Sequence, residues 1–295
     1  MVRRRSRVPS GPVAERHAPG SGAAGGTSTD ARVPGPGDRP ALAVHRSGAG
    51  PPVVLVHGFT QTAASWRTII SSLAGAHEVL AVDLPGHGGS STCYVASISD
   101  AAALVGDAGG RASYVGYSLG GRCCLTLALE RPDLVERLVL VGATAGIEDD
   151  TERVTRRRAD EALAERLDRA SGQALGVEGF LREWLTGPLF AHLSPEQADI
   201  GARLTNTLHG LAASLRTMGT GTQVPSFARL GALEMPVLLV TGEKDERFGT
   251  IARRMADAIG ANARHEVVPG AGHAVPFEAP EAFAEVVERH LGAET

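Results

Sequence analysis

The chain has 295 residues, 43 % of them hydrophobic, with 29 basic against 33 acidic side chains and a formal net charge of −4. That balance gives no electrostatic footprint for nucleic acid or an anionic membrane surface as partner. Its three cysteines (Cys93, Cys123 and Cys124) are odd in number and lack metal-ligand spacing, which argues against a disulfide framework or metal centre and fits a reducing compartment.

Residues 1–39 are rich in Gly, Pro, Ala, Ser and Arg, with seven arginines against Glu15, Asp30 and Asp38, and show no hydrophobic periodicity. Such a segment buries too little apolar area to offset its ordering entropy, so a disordered tail is expected. The early arginines are not followed by the about 7–15 apolar residues of a secretory signal. No stretch approaches the roughly 18 apolar residues of a membrane span. A cytoplasmic protein is expected, with one folded domain over 40–295.

Within that domain, short apolar runs recur at 52–56, 79–83, 112–116, 138–142, 236–240 and 263–268. Several are β-branched and continuous rather than alternating, as expected of strands buried on both faces. Helical patterns at 62–74, 119–130, 247–259 and 280–291 lie between or after them. Strand followed by helix, repeated, predicts a mostly parallel sheet flanked by helices. The interval 146–232 breaks the rhythm. It reads as helices over 150–167, 177–184 and 195–215, a helical lid inserted between two strands.

The chemistry-bearing motifs sit at the ends of the predicted strands. His57-Gly58-Phe59 follows the first. Gly116-Tyr117-Ser118-Leu119-Gly120 is a G-x-S-x-G pattern between a strand and a helix, the context that makes it a nucleophile turn. Residues two before and two after the serine need to lack side chains if the turn is to close. A serine hydroxyl needs a base, and Gly270-Ala271-Gly272-His273 offers one on a loop of small residues. Asp245, after the preceding strand, is placed to fix the imidazole tautomer, with Glu243 as the competing acid. The order Ser118, Asp245, His273 is that of the α/β-hydrolase fold. In that fold the backbone N–H groups of Phe59 and Leu119 would form the oxyanion hole, while His57 is read as a brace for its loop. No cofactor or metal is expected.

Several segments together resemble the 2-succinyl-6-hydroxy-2,4-cyclohexadiene-1-carboxylate (SHCHC) synthase family of menaquinone biosynthesis. They are His57-Gly-Phe-Thr60 with Trp66, Asp83-Leu-Pro-Gly-His-Gly-Gly-Ser90, Gly116-Tyr-Ser-Leu-Gly-Gly-Arg122 and Gly146-Ile147 through Arg153, Arg156 and Asp160. Gly219-Thr-Gly-Thr-Gln223, Gly242-Glu-Lys-Asp-Glu-Arg-Phe248 and Gly270-Ala-Gly-His273 complete the set, from about residue 41 to the C-terminus. The resemblance implies a carbon–oxygen lyase that eliminates pyruvate, with Ser118 primed by His273 as base. It implies a small polycarboxylate substrate bound by Arg122 and Arg156, whose planar forks suit carboxylates, with Tyr117 and Trp184 lining the site. The assembly is expected to be a monomer or homodimer. The family's further lid arginine falls at Thr205; Arg203, on an unbroken 195–215 helix, would face elsewhere. An ester or thioester hydrolase with the same triad is the alternative, and a binding protein with vestigial chemistry a third reading. The arginines favour the lyase, because a pocket for neutral acyl groups would be apolar.

Overall fold

The computed structural model describes residues 41–171 and 176–292; the expected N-terminal tail lies outside them. In chain order the elements are β1 (Val44–Ser47), β2 (Pro52–Val56), α1 (Arg67–Leu73), β3 (Glu78–Val82), α2 (Ile98–Gly109), β4 (Ala112–Tyr117), α3 (Leu119–Glu130) and β5 (Val135–Val141). A run of helices follows: α4 (Asp150–Ala170), α5 (Gly176–Trp184), α6 (Pro195–Ala198), α7 (Ile200–Arg203) and α8 (Leu208–Met218). The chain then completes the sheet with β6 (Val237–Gly242), α9 (Glu246–Ile259), β7 (Ala263–Val268), α10 (Val275–Glu278) and α11 (Pro280–Gly292). This is the α/β-hydrolase fold.

The strands form one seven-stranded sheet in the order β1-β3-β2-β4-β5-β6-β7, with only β1 antiparallel to its neighbour. The unbroken apolar runs are explained by the pleat. Successive side chains of a strand point to opposite faces, and both faces are covered here. Val54, Leu138, Leu140, Val237 and Leu239 join the core beneath α2, α3 and α9. Their alternates Val53, Leu55, Val139, Val141, Leu238 and Val240 join a second core with Trp66, Ile69 and Phe283, beneath α1 and α11. Trp66 is therefore core.

Three elements escaped the sequence pattern, the four-residue α10 among them. β1 (Val-His-Arg-Ser) is an edge strand that carries no apolar run and is largely exposed. α2 is alanine-rich and capped by Ser97, whose side chain accepts from the Asp100 N–H. The expected helix over 195–215 is three pieces. Asp199, at φ +43°, ends α6 and caps α7, whose chain turns at Leu204 before Thr207 caps α8. The helices between β5 and β6 also have an apolar core of their own: Ala164 and Leu167, Phe180 and Leu181, and Leu208, Leu211, Ala212 and Leu215. Among the described residues no helix is long and apolar enough to cross a membrane.

Candidate active site

The chain reverses from β4 into α3 through the single residue Ser118. Its backbone sits at φ +52°, ψ −108°, a region that costs an L-residue about 1–3 kcal/mol. Two hydrogen bonds hold it there. Ser118 N–H donates to the Val141 carbonyl at 2.8 Å, and its own carbonyl accepts from Arg122 N–H at 3.1 Å. The flanking glycines are required by contact. A Cβ on Gly116 would lie 2.5 Å from the Gly120 carbonyl oxygen, and one on Gly120 2.1 Å from that of Val56. The helix therefore starts against the end of the neighbouring strand β2.

His273 arrives on the loop between β7 and α10. Its Nδ1 lies 2.7 Å from Asp245 Oδ2. A carboxylate only accepts, so Nδ1 carries the hydrogen in the neutral ring and Nε2 keeps its lone pair. Asp245 is itself oriented as the N-cap of α9, its other oxygen accepting from Phe248 N–H at 3.2 Å. Glu243, the competing acid, points elsewhere and accepts from Gly270 N–H at 2.8 Å. The ring packs against Phe248, with centroids 4.5 Å apart, and near Tyr117 at 5.5 Å. A Cβ on Gly142 would come within 2.9 Å of the imidazole, so that glycine leaves the ring its space.

The loop after β2 is braced from below. Leu84 N–H donates to His57 Nε2 at 3.0 Å, so His57 Nδ1 carries the hydrogen and donates to the Gly58 carbonyl at 2.8 Å. Gln61 N–H donates to the same carbonyl at 3.2 Å. With that carbonyl pinned, the planar trans peptide points Phe59 N–H the opposite way. Leu119 N–H belongs to the first turn of α3, where the helix offers it no acceptor. Burial lowers the His57 pKa to about 4, so the brace is a neutral ring. His87 packs edge-on beside it and is lowered, chiefly by burial, to about 3.

Ser118, His273, Phe59 and Leu119 all line one cavity of about 830 Å³ of atom-free space, mouth included, roofed by the helical insertion. Arg122, Tyr117, Arg156 and Trp184 line it too, so every sequence-predicted site residue except Asp245, which stands behind His273, borders the same space. Arg122 is buried, donating to Gln223 Oε1 at 3.0 Å and to the Met218 carbonyl at 2.8 Å. Arg156 is half-exposed and paired with Asp160 at 2.8 Å. Arg153 instead turns back to the Ile147 carbonyl and Asp150. Trp184 packs between Phe59 and Phe190. Its Nε1 and the Ser214 hydroxyl are buried and find no hydrogen-bond partner among the described residues, and both residues border the cavity.

Helical periodicity in the sequence set aside one residue that the fold delivers. Arg203 borders the cavity while only 2 % exposed, donating to Thr60 Oγ1 at 2.7 Å and to the Ala198 carbonyl at 2.8 Å. Periodicity assigned it to the wrong face because the helix is broken at Asp199 and again after Arg203. Burial lowers Arg122 and Arg203 each to a pKa of about 10, so both remain cations at neutral pH. Among the described residues no carboxylate lines the cavity. Burying a cation costs several kcal/mol unless an anion compensates; both guanidiniums hydrogen-bond to neutral acceptors, with Asp160 near Arg122 and Asp199 near Arg203 acting on them without a hydrogen bond, so the cavity is receptive to anions. Among the described residues no group of His, Cys, Asp and Glu is placed to hold a metal ion.

Residues 53–286 match the alpha/beta hydrolase family. A 2-succinyl-6-hydroxy-2,4-cyclohexadiene-1-carboxylate synthase of Enterobacter sp. (strain 638) is 32 % identical over 243 residues, 79 % of this chain and 89 % of its own. A Bacillus subtilis (strain 168) protein, given the same name provisionally, is 33 % identical over 268 residues, 86 % of this chain and 95 % of its own. Among solved structures, MenH from S. aureus superposes with a TM-score of 0.76 at 28 % identity, covering 85 % of this chain and 97 % of that one.

Proposed function

The chain belongs to the alpha/beta hydrolase family, and we propose that it eliminates pyruvate from 2-succinyl-5-enolpyruvyl-6-hydroxy-3-cyclohexene-1-carboxylate to form SHCHC, in menaquinone biosynthesis. One observation carries the reading. Arg122, Arg156 and Arg203 come from three different elements to a cavity that holds Ser118 and His273 and, among the described residues, has no carboxylate in its lining. That substrate carries three carboxylates: one on the ring, one on the succinyl arm and one on the enolpyruvyl group. A neutral ester would offer those buried guanidiniums no charged partner beyond the nearby Asp160 and Asp199.

In this mechanism His273 Nε2 takes the Ser118 proton across the shared cavity while Asp245 holds Nδ1–H. The serine oxygen then removes the ring proton beside the succinyl carbonyl. The electron pair moves toward that carbonyl, and the oxyanion that develops is met by Phe59 N–H and Leu119 N–H. Each such donor is worth about 3–4 kcal/mol where charge develops. The pair continues through the ring alkene and expels the enolpyruvyl oxygen. The leaving enolate of pyruvate regains a proton from the site, and the ring is left a conjugated diene. No acyl-enzyme forms and no water is consumed. The helical insertion acts as a lid whose arginines close over the carboxylates.

The test is to incubate the purified protein with this substrate and follow pyruvate release, beside a p-nitrophenyl ester. Pyruvate release that far outpaces ester cleavage supports the lyase. Rapid ester cleavage with no pyruvate sinks it in favour of a hydrolase.

A further inference from the structure

His273 is held by a second carboxylate that acts on its main chain rather than its ring. Glu278, the last residue of α10, turns its side chain back beneath the histidine loop. Its Oε2 accepts from Gly272 N–H at 2.6 Å and its Oε1 from Ala274 N–H at 2.9 Å. The two donors belong to the residues on either side of His273. The same loop is tied from the other side by Lys244 N–H, which donates to the Ala271 carbonyl at 2.9 Å. A Cβ on Gly242 would strike the Gly272 carbonyl oxygen at 2.1 Å, so the loop lies directly on the end of β6. The short helix that carries Glu278 is fixed in turn. Val275 is fully buried, and Phe277 packs on Tyr117 and Trp66 with centroids 5.6 and 5.9 Å away. Gln197 Nε2, from the helical insertion, donates to the Glu278 carbonyl at 3.2 Å.

We infer that Glu278 is a positioning residue for His273, its two oxygens clamping the flanking N–H groups so that the imidazole meets both Asp245 and Ser118. The inference rests on the proposed role of His273 as the group that primes Ser118. Asp245 holds the ring through one 2.7 Å bond and Phe248 and Tyr117 pack beside it, but none of these contacts fixes the main chain. The clamp fixes the backbone from which the ring projects. The spacing along the chain suits this role, because Ala274 and the four residues of α10 bring the carboxylate back under the loop. Two charge-assisted bonds to one carboxylate are stronger and more directional than bonds to a neutral amide.

Glu278→Gln keeps the shape but turns an NH2 group toward one of the two N–H donors, so one half of the clamp is lost. Misplacing a catalytic group by about 1 Å costs on the order of 100-fold. We expect kcat for pyruvate release to fall about 10- to 100-fold, with KM within about twofold and the melting temperature little changed. Glu278→Asp, which keeps the charge but is too short to reach both donors, should fall by a similar factor. A second readout needs no substrate. The far-downfield proton resonance of His273 Nδ1–H, identified by its absence in His273→Gln, should shift or broaden in Glu278→Gln. Wild-type kcat and an unmoved resonance in Glu278→Gln, beside an inactive His273→Ala, would overturn the clamp alone. Full turnover by His273→Ala would remove the underlying reading and the clamp with it. Were Glu278→Gln too unstable for kinetics, an unmoved resonance below its melting temperature would still refute the proposal.

Discussion

Replacing Arg122 by methionine keeps an unbranched apolar stem and removes the guanidinium. Two of its five N–H donors are committed to Gln223 and the Met218 carbonyl, which leaves three for a substrate carboxylate. A hydrogen bond to a charged group contributes about 1.5–3 kcal/mol. At 1.4 kcal/mol per factor of ten, loss of one such bond lowers kcat/KM for pyruvate release about 10- to 150-fold. The fold should persist at some cost in stability. Leaving Gln223 and the carbonyl unpaired costs about 1–3 kcal/mol each, offset in part because a guanidinium no longer has to be desolvated. The assay is paired: pyruvate release from the tricarboxylate, and cleavage of a neutral p-nitrophenyl ester by the same preparation. The ester should change less than about threefold, since no charge contact to it is lost. Equal losses on both substrates would refute the assignment of Arg122 to carboxylate recognition.

Ser118→Ala should abolish pyruvate release without loss of thermal stability, and turnover near wild type would remove the proposed base. Ser118→Gly should also be inactive yet more stable by about 1 kcal/mol, since glycine adopts φ +52° without strain; calorimetry should show a melting temperature raised by about 2–4 °C. Gly120→Ala places a Cβ 2.1 Å from the Val56 carbonyl oxygen, and a urea midpoint equal to wild type would contradict that contact. His57 and His87 are held near pKa 4 and 3, below the unfolded value of 6.5. The unfolded chain therefore binds more protons as pH falls below 6.5, so the stability these rings contribute is present above that pH and is lost toward pH 3–4. Each ring should account for on the order of 2 kcal/mol between pH 7 and 5, read from urea midpoints. A flat profile over that interval would show that these rings are not buried neutral.

What the sequence made legible is what short-range sterics dictates. The glycines around Ser118 have to be glycines because backbone from three elements meets there, and that requirement is written in five consecutive residues. The core strands were readable because burial on both faces erases alternation. β1 was not, since an exposed edge strand needs no apolar residue at all. Arg203 was misjudged for a different reason: periodicity holds only inside a helix, and a single left-handed residue at Asp199 resets it. Glu278 carried no local signal, because its partners are main-chain N–H groups that every residue except proline possesses. The choice between Glu243 and Asp245 turned on which carboxylate the β6 turn aims at the imidazole, a matter of loop direction rather than composition.

The roof of the cavity is stabilised by its own apolar cluster, which is separate from the two that sandwich the sheet. Floor and ceiling therefore answer to different reservoirs of buried surface. A substitution at Leu181 or Leu211 loosens the ceiling and leaves the serine turn seated. A substitution at Val139 or Leu140 threatens the whole molecule. Substitutions in the upper storey that spare Gln197 and Phe59, residues that tie it to what lies below, re-cut the roof while the turn at Ser118 keeps its seat.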